Sequence, residues 1–63
     1  GGGELKTAVA QAIQANPQPV ADYRKGKAQA ITFLVGQVMR STRGRANPQQ
    51  ARDVMIRMLE ESS

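Results

Sequence analysis

The run Ala30-Ile31-Thr32-Phe33-Leu34-Val35-Gly36-Gln37-Val38-Met39 decides the fold, and it is bracketed by Arg24, Lys25 and Lys27 before it and by Arg40, Arg43 and Arg45 after it. No acidic residue lies between Arg24 and Arg45. At ~100° per residue, Ala28, Ile31, Leu34, Val35, Val38 and Met39 cover a broad apolar sector of one helix, while Phe33 falls on the opposite side near Gln29, Gly36 and Arg40. The helix is expected from about Lys27 to Thr42, with Gly44 as its C′ residue and Arg40 and Arg43 in the last turn, where cations suit the macrodipole. A helix that is apolar nearly all round is packed by neighbours on more than one side, so this one is expected at the centre of a bundle. Gly36 inside it costs about 1 kcal/mol against Ala, which predicts close approach of a neighbouring helix. Tyr23 and Phe33 are the chain's two aromatic residues and are expected in the core, with a base-stacking platform as the competing reading.

Outward from this run the periodicity stays helical. Toward the N-terminus, Leu5, Ala8, Val9, Ala12 and Ile13 fall on one face of a helix from Glu4 to Ala15, which Pro17 and Pro19 stop. Asn16-Pro17 can start a short second helix, with Asn16 as N-cap and Pro17 at the first position, a body from Val20 to Lys25 and an end at Gly26. Toward the C-terminus, Asn47 caps a helix running to about Glu61, with Gln50 placed to complete a capping box. Ala51, Val54, Met55, Met58 and Leu59 form its buried face. Arg52 and Arg57 sit in helical reach of Asp53 and Glu60 and read as a solvated, charge-balanced face. Met39, Met55 and Met58 are read as core filler. Glu60 and Glu61 oppose the helix dipole, so the last turn and Ser62-Ser63 are expected to fray. The start Asn16-Pro17-Gln18 recurs as Asn47-Pro48-Gln49, and an Asp follows six residues after the Asn in both (Asp22, Asp53), which is shared helix-start grammar rather than a repeat architecture. The fold class expected is all-α, a small orthogonal bundle of three main helices plus one short helix. Residues 4–63 read as a single helical domain, with Gly1-Gly2-Gly3 as a linker or an expression scar.

Composition narrows the function classes. A chain of 63 residues is one small domain, and such a domain buries only about 60% of the surface its unfolded chain exposes. With no Cys and no His it has neither disulfides nor the usual zinc ligands, and the commonest general base and strongest nucleophile are missing. Its five carboxylates (Glu4, Asp22, Asp53, Glu60, Glu61) are scattered and form no acid/base pair or oxygen cage. Isolated catalysis is therefore not expected, and neither is a metal or other cofactor in the domain. The absence of Cys fits a reducing compartment, and no segment approaches the ~18–20 apolar residues of a membrane span. The N-terminus lacks the charged and apolar regions of a signal peptide, so an intracellular location without membrane attachment is expected. A net charge of +4 favours a negatively charged partner.

One more property of the central stretch is its residue order. Gly26-Lys27, Phe33-Leu34-Val35-Gly36-Gln37-Val38-Met39-Arg40 and Thr42-Arg43-Gly44-Arg45-Ala46-Asn47-Pro48, together with Ala15-Asn16-Pro17 and Val20-Ala21-Asp22-Tyr23-Arg24, resemble the C-terminal tail of GatB, the B subunit of the aspartyl/glutamyl-tRNA amidotransferases. The likeness covers nearly all the chain from Leu5 to Leu59. Arg40 and Arg45 stand where the family pattern usually has lysine, which keeps the charge and changes its geometry. The resemblance implies a small helical domain, related also to the YqeY proteins, joined by a linker to a larger catalytic portion of GatB that works with the A and C subunits of the amidotransferase. It implies tRNA as partner and the bacterial cytoplasm, or an organelle, as location. Catalytic residues, and the use of ATP, Mg and glutamine, belong to other parts of such a complex, and no position of this chain matches them. On this reading Arg40, Arg43 and Arg45 are the first candidates to contact tRNA phosphates, Lys25 and Lys27 come next, and Arg24 follows. The competing readings are a protein-interaction module that docks another member of the complex and a free-standing regulator of the YqeY type.

Overall fold

In the computed structural model, which describes residues 2–61, four helices follow one another: α1 (Gly2–Ala15), α2 (Pro17–Arg24), α3 (Gln29–Ser41) and α4 (Pro48–Glu61). There is no strand among the described residues, so the all-α expectation holds. Gly1 and Ser62-Ser63 lie outside the described residues, and with them the expected fraying of the C-terminal pair.

The core is the set of faces that periodicity marks out. Val9 of α1, Leu34 and Val38 of α3, and Ala51 and Met55 of α4 are fully buried, joined by Ala8, Ala12, Ile31 and Leu59. Leu5, Ile13, Val20, Tyr23, Val35, Val54 and Met58 pack partly buried against that cluster, as do Ala46 and Ile56, which helical periodicity does not single out. Helix α3 packs against each of the other three helices, so its central place follows from its broad apolar sector. No buried side-chain polar atom among the described residues lacks a hydrogen-bond partner.

Local chemistry explains the boundaries and corrects several expectations. Helix α1 begins at Gly2, ahead of Glu4, and Thr7 Oγ1 donates to Gly3 O at 2.9 Å in its first turns. Asn47 caps α4 as expected: its Oδ1 accepts from the backbone N–H of Gln49 at 2.9 Å and of Gln50 at 3.2 Å. Gln50 thus joins the cap through its backbone N–H rather than through its side chain. Asn16 is the N-cap residue of α2 as expected, and its carbonyl accepts from Val20 N–H at 3.2 Å, but its side chain makes no cap bond. Its Nδ2 turns back to donate to Ala12 O at 2.8 Å, closing the end of α1 instead. The shared helix-start grammar has two common structural counterparts: each Asn carbonyl accepts from the backbone N–H four residues on, and each Gln bonds the Asp four residues on, Gln18 Nε2 to Asp22 Oδ1 at 3.2 Å and Gln49 Nε2 to Asp53 Oδ1 at 3.3 Å.

Helix α3 starts later than Lys27, and Ala28 is an exposed N-cap residue rather than part of the buried face. Met39 is half-buried and stands outside the core cluster. Two further expectations fail on the outer side of α3. Phe33 is 48% exposed rather than in the core. Gly36 is exposed as well, and a Cβ built there meets nothing within 4 Å, so no neighbouring helix approaches it. The reason for both is geometric: α1, α2 and α4 cover the sector centred on Leu34 and Val38 and leave the opposite side open.

Candidate nucleic-acid interface

Helices α2 and α3 end in the same hydrogen-bonded motif built from different residues. At the end of α2, Gly26 N–H donates to Tyr23 O at 2.9 Å and Lys27 N–H to Asp22 O at 3.0 Å, with Gly26 at φ +105°. At the end of α3, Arg43 N–H donates to Arg40 O at 3.2 Å and Gly44 N–H to Met39 O at 2.8 Å. This is the Schellman pairing in both cases, and its C′ position requires a left-handed residue. In α2 that residue is the expected glycine. In α3 it is Arg43, at φ +56°, and Gly44 is displaced to C″ at φ +78°, which corrects the assignment of Gly44 as C′.

An arginine held in the left-handed region costs about 1–2 kcal/mol, a cost that a glycine at the same place avoids. Backbone strain of this kind concentrates where a side chain has to be aimed. The chain leaves the motif through a second tight bend. Arg45 N–H donates to Thr42 O at 3.1 Å across two residues of positive φ, the pattern of a type I′ turn. The Thr42 hydroxyl locks the bend: it donates to Val38 O at 2.9 Å and accepts from Ala46 N–H at 3.3 Å, tying the end of α3 to the residue that leads into α4. Thr42 is the positioning residue that sequence reasoning missed, because a threonine at a helix end carries no distinctive spacing.

Arg40, Arg43 and Arg45 are all exposed and lie together on the end of α3 and this turn. Arg43 and Arg45 line an open hollow of about 430 Å³ with Thr42, Asn47, Gln50 and Glu4. Glu4 is the acidic group at this hollow, so positive charge dominates there. Asn47 Oδ1 already occupies the N–H groups of Gln49 and Gln50 at the head of α4, so the attraction for an anion rests on the guanidinium groups. Their planar forks suit bidentate contact with phosphate oxygens.

The remaining candidates are elsewhere. Lys25 and Lys27 are exposed on the turn between α2 and α3, at the opposite end of a 13-residue helix, hence about 20 Å away along its axis. Arg24 lines a hollow with Tyr23, Leu59 and Glu60, and it makes interactions within the domain. The structure therefore sets Arg43 and Arg45 at one hollow, with Arg40 in the last turn of α3 just before them, apart from Lys25 and Lys27 and from Arg24. Among the described residues no three acidic side chains come together in a group that could hold a metal ion, and no helix is long and apolar enough to cross a membrane.

Comparison with known proteins places the chain. A family model described as the GatB domain matches residues 2–59. The chain is 57% identical over 47 residues to the B subunit of the aspartyl/glutamyl-tRNA(Asn/Gln) amidotransferase of Caldanaerobacter subterraneus subsp. tengcongensis, covering 75% of the chain and 10% of that protein. It is 57% identical over 51 residues to the protein of the same name from Herpetosiphon aurantiacus, covering 81% of the chain and 11% of the relative. Against the protein of that name from Brachyspira hyodysenteriae the identity is 41% over 59 residues, covering 94% of the chain and 12% of the relative. The chain thus spans about a tenth of the length of these relatives. No solved structure matches it significantly.

Proposed function

The chain belongs to the GatB domain family, and from that premise we propose that it is the tRNA-holding appendage of GatB in a tRNA-dependent amidotransferase. Such an enzyme converts glutamate or aspartate mischarged on tRNA to the amide, in the compartment where translation takes place. On this proposal the domain is not itself catalytic and holds no cofactor. ATP, Mg and glutamine are used by the rest of the complex, and the domain reaches the A and C subunits through the remainder of GatB. The observation that carries the proposal is Arg43 held left-handed between Arg40 and Arg45, where the equivalent position of α2 has the unstrained Gly26. Arg40 in the last turn of α3 and Arg43 and Arg45 on the bend that follows contact phosphates without reading bases, so the folded shape of the RNA selects the partner. Lys25 and Lys27 form a second, separate contact, and Arg24 is the weakest candidate because it already has interactions within the domain.

The test is binding of a tRNA transcript to the 63-residue chain across a salt series. Three to five phosphate contacts give a log–log slope of about −2 to −4. The Arg40/Arg43/Arg45 triple alanine variant is expected to lose most of that slope. Binding by this variant with the affinity and slope of the wild type would sink the proposal.

A further inference from the structure

Phe33 and Gly36 are adjacent on the outer side of α3, and both depart from what folding alone favours. Phe33 leaves an aromatic ring 48% exposed, the one large hydrophobic side chain so placed among the described residues. Gly36 weakens the helix without any packing reason, since a Cβ there would meet open space. Beside Phe33, between α2 and α3, lies an open hollow of about 330 Å³ lined by Pro19, Asp22, Lys27, Gln29, Ala30 and Phe33. Pro19 and Phe33 give it apolar ring surfaces, and Lys27 gives it a cation. Its carboxylate, Asp22, already accepts from Gln18 Nε2 at 3.2 Å. In the other direction along the same face, Arg40 stands seven residues past Phe33, about 10 Å along the helix.

We propose that this face binds one unpaired RNA base stacked on Phe33, with Lys27 on a neighbouring phosphate and the strand passing over the bare backbone at Gly36 toward Arg40. The occupant follows from the juxtaposition of an exposed ring with cations on both sides. Aromatic side chains flanked by Lys and Arg hold single-stranded RNA by stacking and phosphate contact together, whereas an apolar protein segment has no use for the cations. The absent side chain at Gly36 allows a sugar–phosphate backbone to lie close to the helix. This extends the RNA reading of the basic turn, on which it rests, by a second kind of contact that senses unpaired bases.

The experiment compares two RNA probes of equal phosphate number, a stem-loop with an unpaired purine loop and a continuous duplex, binding to the 63-residue chain and its variants. Phe33→Ala is expected to weaken stem-loop binding about 5- to 100-fold and to leave duplex binding within about twofold, as loss of one stacked base does. Phe33→Trp retains stem-loop binding, and because the chain has no other Trp its fluorescence reports the stacked base directly by quenching. Unchanged melting of Phe33→Ala, expected for a half-exposed ring, shows that the fold is intact. Equal binding of the stem-loop by wild type and Phe33→Ala overturns the stacking proposal and leaves the basic turn standing. Equal losses on both probes overturn it too. If neither probe binds in a salt-dependent way, the RNA reading itself fails and takes this one with it. A self-associating chain that Phe33→Ala dissociates without changing RNA binding assigns the face to a second copy and also overturns the proposal.

Discussion

Arg43→Gly is expected to stabilise the fold and, on the proposed function, to weaken the binding of RNA. Arg43 sits at φ +56° in a position whose counterpart in α2 is Gly26. Removing the left-handed penalty returns about 1–2 kcal/mol. The greater freedom of glycine in the unfolded chain takes back about 0.4–1 kcal/mol. The net gain is about 0–1.6 kcal/mol, centred on ~0.8, against a total stability of roughly 3–9 kcal/mol for a chain of this size at ~0.05–0.15 kcal/mol per residue. In a domain this small the central value raises Tm by about 3–6 °C. Arg43→Ala serves as the control: it removes the same charge but keeps a Cβ in the left-handed region, so it should be about 1 kcal/mol less stable than Arg43→Gly. On the proposed function both variants lose one phosphate contact, which is expected to lower the salt slope of tRNA binding by about 1. Urea denaturation followed by far-UV circular dichroism measures the first effect and a salt-series titration the second. Equal stability of the Gly and Ala variants, or a Gly variant less stable than wild type, would refute the assignment of strain to Arg43.

Two further substitutions test the packing of the helices. Gly36→Ala is expected to raise stability by about 1 kcal/mol, because its Cβ meets nothing within 4 Å and alanine is the better helix former; a loss of stability in thermal melts would mean that another element does approach there. Met55→Ala removes a fully buried side chain from the core cluster to which α1, α3 and α4 contribute and is expected to cost about 2–5 kcal/mol, enough in so small a domain to abolish a cooperative thermal transition, and retention of the wild-type melting curve would contradict the placement of Met55 in the core.

Much of this architecture was legible in residue order. The spacing of Leu5, Ala8, Val9, Ala12 and Ile13 and that of Ala51, Val54, Met55, Met58 and Leu59 each place the buried face of a helix, because 3.6 residues per turn leave a face few alternatives. Asn47 acts as the cap its type suggests. Asn16, in the same local sequence, takes the N-cap place without a side-chain cap bond: Pro19, at the third position of α2, has no N–H to offer its Oδ1, and its Nδ2 donates back to Ala12 O. The candidate site was legible as a cluster of arginines but not as a shape. Gly44 is the residue that helix-ending chemistry favours at C′, yet α3 stops one residue earlier, where the Thr42 hydroxyl ties the bend to Ala46.

Sequence by itself determined the helical class, the faces that make the core, the family and the excess of positive charge, since each depends on residue type and on spacing within one element. The tertiary structure alone decided that Arg43 and Arg45 line one hollow, that Arg43 takes the left-handed position, and that no neighbouring helix covers Phe33 and Gly36. A helix can carry apolar residues nearly all round, but three neighbours cover only the sectors they reach. The sector that stays open is the one opposite the apolar face, and that no neighbour closes over Phe33 there depends on how the other helices are connected.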